Sequence, residues 1–169
     1  PAVTLSVVGN TYNGDITPPI DTKVGHILSF RADCSTPDPD RKVKFVQFEF
    51  GDGTTTDFLP LTEGTTATLD TAHTYVSTAT SLTARARVKD DNDNLSDYSP
   101  AITINVENAP PVAILRAVPS MIRAGQPVRL DATASYDVNA GGTVTNFTFT
   151  PGDGSSNVGP QGTGYVDHT

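Results

Sequence analysis

The chain has 169 residues, 36% of them apolar, and a formal net charge of −8 from nineteen acids against four Lys and seven Arg. A balance this acidic argues against nucleic acid and anionic membranes as partners, and no apolar run is long enough to span a bilayer. Abundant β-branched and turn-forming residues, with little Leu, Lys, Glu or Met, exclude a helix-rich protein.

In chain order, Leu28, Phe30 and Ala32 alternate with Ser29 and Arg31, and Val46, Phe48 and Phe50 alternate with Gln47 and Glu49. Leu82, Ala84, Ala86 and Val88 alternate with Thr83, Arg85, Arg87 and Lys89, and Ile102, Ile104 and Val106 alternate with Thr103 and Asn105. Period two with one apolar face predicts half-buried antiparallel strands. Pro37–Asp40, Gly51–Gly53 and Asp90–Asn94 supply the turns between them. Cys34 stands alone, so no intrachain disulfide forms; it aligns with Ala134 below, which predicts a small, buried, inert thiol.

The chain repeats itself. Phe30–Ser35 (FRADCS) matches Leu130–Ser135 (LDATAS), and Val46–Gly53 (VQFEFGDG) matches Phe147–Gly154 (FTFTPGDG). Asp70–Thr74 (DTAHT) has a counterpart in Tyr165–Thr169 (YVDHT). The period exceeds the roughly 20–50 residues of solenoid units, so it marks two copies of one domain. The seam falls at Glu107–Pro111, where two prolines stiffen the chain. The expected organisation is residues 1–107 as a first antiparallel β-sandwich and residues 108–169 as a second. The second lacks counterparts of the two strands that follow Tyr75. Strands further along a longer chain, or strands from a neighbouring copy, would have to close it.

Phe48–Gly53 resembles the aromatic-Asp-Phe-Gly-Asp-Gly signature of PKD (polycystic kidney disease) domains. His73–Tyr75 resembles the family's His-Thr-Tyr, and Arg87–Asp90 its late Val-x-Asp strand end. Pro110–Ala113 is similar to the usual opening of a copy, and Ser135–Asp137 to its Ser-x-Asp turn. Phe48 and Phe149 stand where the family has Trp, and Pro151 replaces the following Phe. The resemblance implies an all-β architecture of two Ig-like sandwiches in tandem, the second incomplete at its C-terminus. It makes Phe48, Gly51, Asp52, Gly53, His73 and Tyr75, with Gly152, Asp153 and Gly154 of the second copy, structural signature positions. It also implies an extracellular, cell-surface or virion setting.

The residues themselves read the same way. Gly51 and Gly53 allow a turn with positive φ, and Asp52 can accept from nearby amides. Tyr75 opens a strand where sandwich domains tie a tyrosine hydroxyl to backbone, with His73 packed beside it. His73 and His168 hold the same repeat position, which fits architecture better than catalysis. No nucleophile–base constellation, zincin motif, P-loop or dinucleotide fingerprint occurs, so no enzymatic activity is expected.

Two kinds of modification or ligand site remain candidates. Asp90, Asp91, Asp93 and Asp97 place oxygen ligands in one loop and suggest calcium, although the EF-hand Gly and Glu are missing; a solvated hairpin tip is the competing reading. Asn94 on that loop and Asn146 in an expected strand head N-x-S/T sequons. The expected function is a non-catalytic surface, adhesion or structural module that contacts protein or glycan, acts as a spacer, and is able to self-assemble through neighbouring copies. The alternatives are an accessory domain of a secreted hydrolase and an Ig-like virion appendage. An exposed aromatic row on one sheet would favour the hydrolase accessory, and Tyr12, Phe58 and Tyr98 are the scattered candidates for one.

Overall fold

The alternating segments become strands and no helix forms anywhere between Pro1 and Thr169, all of which the computed structural model describes. The chain divides into two units, Pro1–Asn108 and Ala109–Thr169.

Unit 1 carries eight strands: β1 (Ala2–Asn10), β2 (Ile20–Lys23), β3 (Ile27–Ser35), β4 (Val43–Glu49), β5 (Leu59–Gly64), β6 (Thr66–Thr74), β7 (Ala79–Asp90) and β8 (Ile102–Glu107). They form two sheets, β1-β3-β6 and β2-β8-β7-β4-β5. All neighbours are antiparallel except β2 and β8, which run parallel. Each strand turns its apolar set inward. Leu28, Phe30 and Ala32 of the first sheet are fully buried, as are Val46, Ala84, Ala86, Val88 and Ile104 of the second. Phe48 is 1% exposed. Two sheets hiding their inner faces from water give a sandwich-like core. Cys34 lies within it, and burial pushes its thiol up to about 12, which keeps it protonated and unreactive at neutral pH.

Unit 2 carries five short strands: β9 (Arg116–Val118), β10 (Val128–Asp131), β11 (Phe147–Phe149), β12 (Val158–Gln161) and β13 (Tyr165–His168). Their order is β9-β10-β13 and β11-β12. The three-stranded order repeats β1-β3-β6 strand for strand, and β11-β12 repeats β4-β5. Counterparts of β2, β7 and β8 are not among them. The consequence is a thin core: Ala109, Ala132 and Phe149 are its only buried apolar residues. Leu115, Val118 and Met121 lie open at 58%, 56% and 89% exposure.

Candidate functional site

The Gly-Asp-Gly turns are built identically in both units. In unit 1, Gly51 and Gly53 take φ of 86° and 90°, a left-handed conformation that glycine adopts without steric cost. Asp52 Oδ1 accepts from the Thr54 amide and hydroxyl, and Oδ2 accepts from His73 Nε2 at 2.7 Å. Burial acts to raise the Asp52 carboxyl, but the hydrogen bonds from Thr54 and His73 outweigh it and hold the group below the usual range. The His73 ring stacks on Phe50 at 4.1 Å and meets the edge of Tyr75 at 4.7 Å. The Tyr75 hydroxyl donates to the Phe50 carbonyl at 2.9 Å, inside the core, and burial raises that phenol. In unit 2, Gly152 and Gly154 both have φ of 89°. Asp153 accepts from Ser155 and from His168 Nε2 at 2.8 Å, and the Ser155 hydroxyl foremost holds its carboxyl far below the usual range. The Asp–His hydrogen bonds tie each turn to the end of a strand.

The acidic loop is also internally bonded. Asp90 is buried; its carboxylate accepts from the amides of Asn92 and Asn94 and from Asn94 Nδ2. The Asn94 side chain foremost holds this carboxyl below its ordinary value. Asp91 lies 3.9 Å from Arg41 and Asp93 4.0 Å from Lys89. Asp97 is exposed on the following segment. The four carboxylates do not converge into a group of three that could hold an ion. Asn94 presents its amide nitrogen to Asp90, whereas Asn146 sits one residue before β11 instead of within it. Both asparagines are exposed.

The arrangement that sequence reasoning missed lies on the outer face of the larger sheet. Register sets Arg85 opposite Glu49 and Arg87 opposite Gln47. Phe58, just before β5, and Tyr98, on a segment hydrogen-bonded along β7, fold over the same face. The Arg85 guanidinium lies 3.9 Å from the centre of the Tyr98 ring. Arg87 lies 5.0 Å from Tyr98 and 5.7 Å from Phe58, and Lys89 lies 4.4 Å from Phe58. Cations and rings therefore alternate along the strand, within the range of cation–π attraction. Arg85 is neutralised by a bidentate pair with Glu49, whose carboxyl it lowers, at 3.0 Å per contact. Arg87 instead donates to the neutral Gln47 amide oxygen at 2.9 Å and makes no salt bridge, although its charge also helps to lower the Glu49 carboxyl. Phe58 and Tyr98 are not scattered, as the sequence suggested; they bracket one guanidinium that makes no salt bridge. Tyr12 stands apart, against His26 and Lys23.

No family model matches the chain, and neither a curated protein nor a solved structure matches it.

Proposed function

We propose that the chain is a non-catalytic extracellular module: two Ig-like sandwiches of the PKD type in tandem, the second incomplete, acting as a spacer that contacts protein or glycan through unit 1. The observation that carries this reading is the ladder Lys89–Phe58–Arg87–Tyr98–Arg85. It sets aromatic surface beside one guanidinium that has no salt-bridge partner, on one sheet of a chain that is acidic overall. Rigid aromatic rings beside a guanidinium suit the apolar faces and the anionic groups of acidic polysaccharides or acidic protein surfaces. The Asp52–His73 and Asp153–His168 pairs belong to the scaffold in this reading, and no resident cofactor is invoked. Calcium is not required, because Asp90 already has hydrogen-bond donors from its own loop.

The same ladder favours, as a second reading, an accessory domain that holds a secreted hydrolase on its polymer. Both readings are tested by binding the full chain to immobilised acidic and neutral polysaccharides. Salt-sensitive retention on the acidic polymers, reduced about tenfold or more by Arg87→Ala and unchanged by Arg31→Ala, is the expected result. Equal retention of the wild type and Arg87→Ala would remove the ladder from the function.

A further inference from the structure

Asn13–Gly14 is the only asparagine–glycine step in the chain, and it lies on the exposed segment between β1 and β2. The Gly14 N–H donates to the Asn10 carbonyl at 3.0 Å and closes a single turn, which Gly14 ends with φ of 76°. The Asn13 side chain is tied at both ends. Its Oδ1 accepts from Asn10 Nδ2 and from the Asp15 amide, each at 2.9 Å, and its Nδ2 donates to the Asp21 carbonyl at 3.3 Å. Asn10 is itself buried, and its Nδ2 also donates to the Asp15 and Asp21 carbonyls. Gly14 has no β-carbon, and one built there would meet nothing within 4 Å, so its nitrogen has an open approach to the preceding side chain. The hydrogen bond to Asn10 is what holds that nitrogen back. Asp52–Gly53 and Asp153–Gly154 have the same following glycine, but their carboxyls are held ionised, and a carboxylate resists attack by a nitrogen nucleophile.

We propose that Asn13–Gly14 modifies itself, at a rate set by the opening of the Asn10–Gly14 turn, and that the product loosens the start of β2. When the turn opens, the Gly14 nitrogen gives up its proton to solvent and attacks Asn13 Cγ. The new N–C bond forms, the Cγ–Nδ2 bond breaks, and Nδ2 leaves as ammonia with a proton taken from water. Water then opens the cyclic imide at either carbonyl, leaving aspartate or isoaspartate at position 13. The sequence of steps consumes only water and is irreversible. Its local consequences follow from the contacts. The Asp21 carbonyl loses the Asn13 donor and faces a carboxylate instead. Isoaspartate also adds a carbon to the main chain between Asn10 and Gly14, so the turn does not reclose as before. Asp21 belongs to β2 and lies beside Asn105 of β8, whose side chain donates to its carboxylate. The disturbance therefore reaches the strand pair through Asp21. The proposal concerns a covalent change within unit 1 and is independent of the ladder.

The test incubates the full chain in mildly alkaline buffer beside a synthetic peptide with the sequence Thr11–Thr17. Peptide mapping by mass spectrometry, with isoaspartate separated from aspartate, locates the product. Asn13 is expected to convert before any other asparagine. It should convert more slowly than in the peptide, by the same factor, within about threefold, by which the Gly14 amide is protected from hydrogen exchange. Asn10→Ala unties Asn13 Oδ1 and should lower both that protection and the gap to the peptide by about tenfold. In the converted chain the Val24 amide, which donates to the Glu107 carbonyl just past β2, should exchange about threefold faster or more. Should Asn10→Ala fail to fold, the comparison of wild-type conversion with Gly14 exchange decides alone. The proposal is overturned if another asparagine converts first or if the folded chain converts as fast as the peptide. It is also overturned if conversion lags behind Gly14 exchange by about tenfold or more, if a folded Asn10→Ala chain keeps both wild-type rates, or if conversion leaves Val24 exchange unmoved.

Discussion

His73 Nε2 donates to Asp52 Oδ2 across 2.7 Å, and His168 makes the same contact to Asp153 across 2.8 Å. The pairs lie in different units, in stretches that share little beyond the Gly-Asp-Gly turn and the histidine. Their geometry explains why both residues recur: the carboxylate caps its own turn with one oxygen and ties that turn to the end of a strand with the other.

Acid should therefore loosen both turns. The unfolded chain holds a proton on these carboxyls more tightly than the folded chain does. Stability is fully present above the ordinary carboxyl value of about 3.9 and is lost as pH falls through it toward the lower folded values. Thermal unfolding followed from neutral pH to pH 2 should show a flat region and then a decline. The decline should be shallower in Asp52→Asn, which has no proton to take up. An unchanged acid limb in that variant would place the linkage elsewhere.

Tyr75→Phe removes the donor to the buried Phe50 carbonyl and leaves that oxygen without its partner. The expected loss is about 1–3 kcal/mol, read by denaturant unfolding of unit 1. A loss near zero would mean that the hydroxyl does not hold the corner.

Gly51→Ala and Gly53→Ala separate strain from crowding. Both positions require a left-handed conformation, which costs a non-glycine residue roughly 1–2 kcal/mol. Gly51 alone would also drive its β-carbon into the Thr83 backbone at 2.6 Å, adding about 1–3 kcal/mol. Equal losses in the two variants would show that β7 yields.

Asp90→Ala should destabilise unit 1 by about 1–3 kcal/mol, because the Asn92 and Asn94 amides lose their acceptor. The midpoint of unfolding should be the same in millimolar calcium and in a chelator, for the wild type and the variant alike. A calcium-dependent rise that Asp90→Ala abolishes would restore the loop as a metal site.

Unit 1 was largely legible because local alternation decides which face of a strand is buried. Leu82–Val88 and Ile102–Val106 wrote their phase plainly, and β7 and β8 carry it. Thr66–Thr74 did not, since the less exposed face of β6 mixes Ala67 and Leu69 with the polar Thr71 and His73. The parallel pairing of β2 with β8 joins residues more than eighty positions apart, and no local pattern records such a partner. The ladder was hidden for a related reason. Arg85, Arg87 and Lys89 read as an ordinary solvent face until strand register brought Phe58 and Tyr98 over them from two separate loops. The repeat carried unit 2, where the strands are too short to show a period.

The parallel pair has a mechanical meaning. Ile20 lies beside Ile104 and Lys23 beside Glu107. Tension on the chain ahead of β2 and behind β8 draws the two strands past each other in opposite directions. Their hydrogen bonds are then strained together in shear instead of parting one rung at a time. Ile20, Thr22 and Ile104 are fully buried, so water does not reach these rungs to compete for them, and shielded bonds are electrostatically stronger. Once force passes β1 and reaches β2, this short clasp between β2 and β8 is loaded in shear.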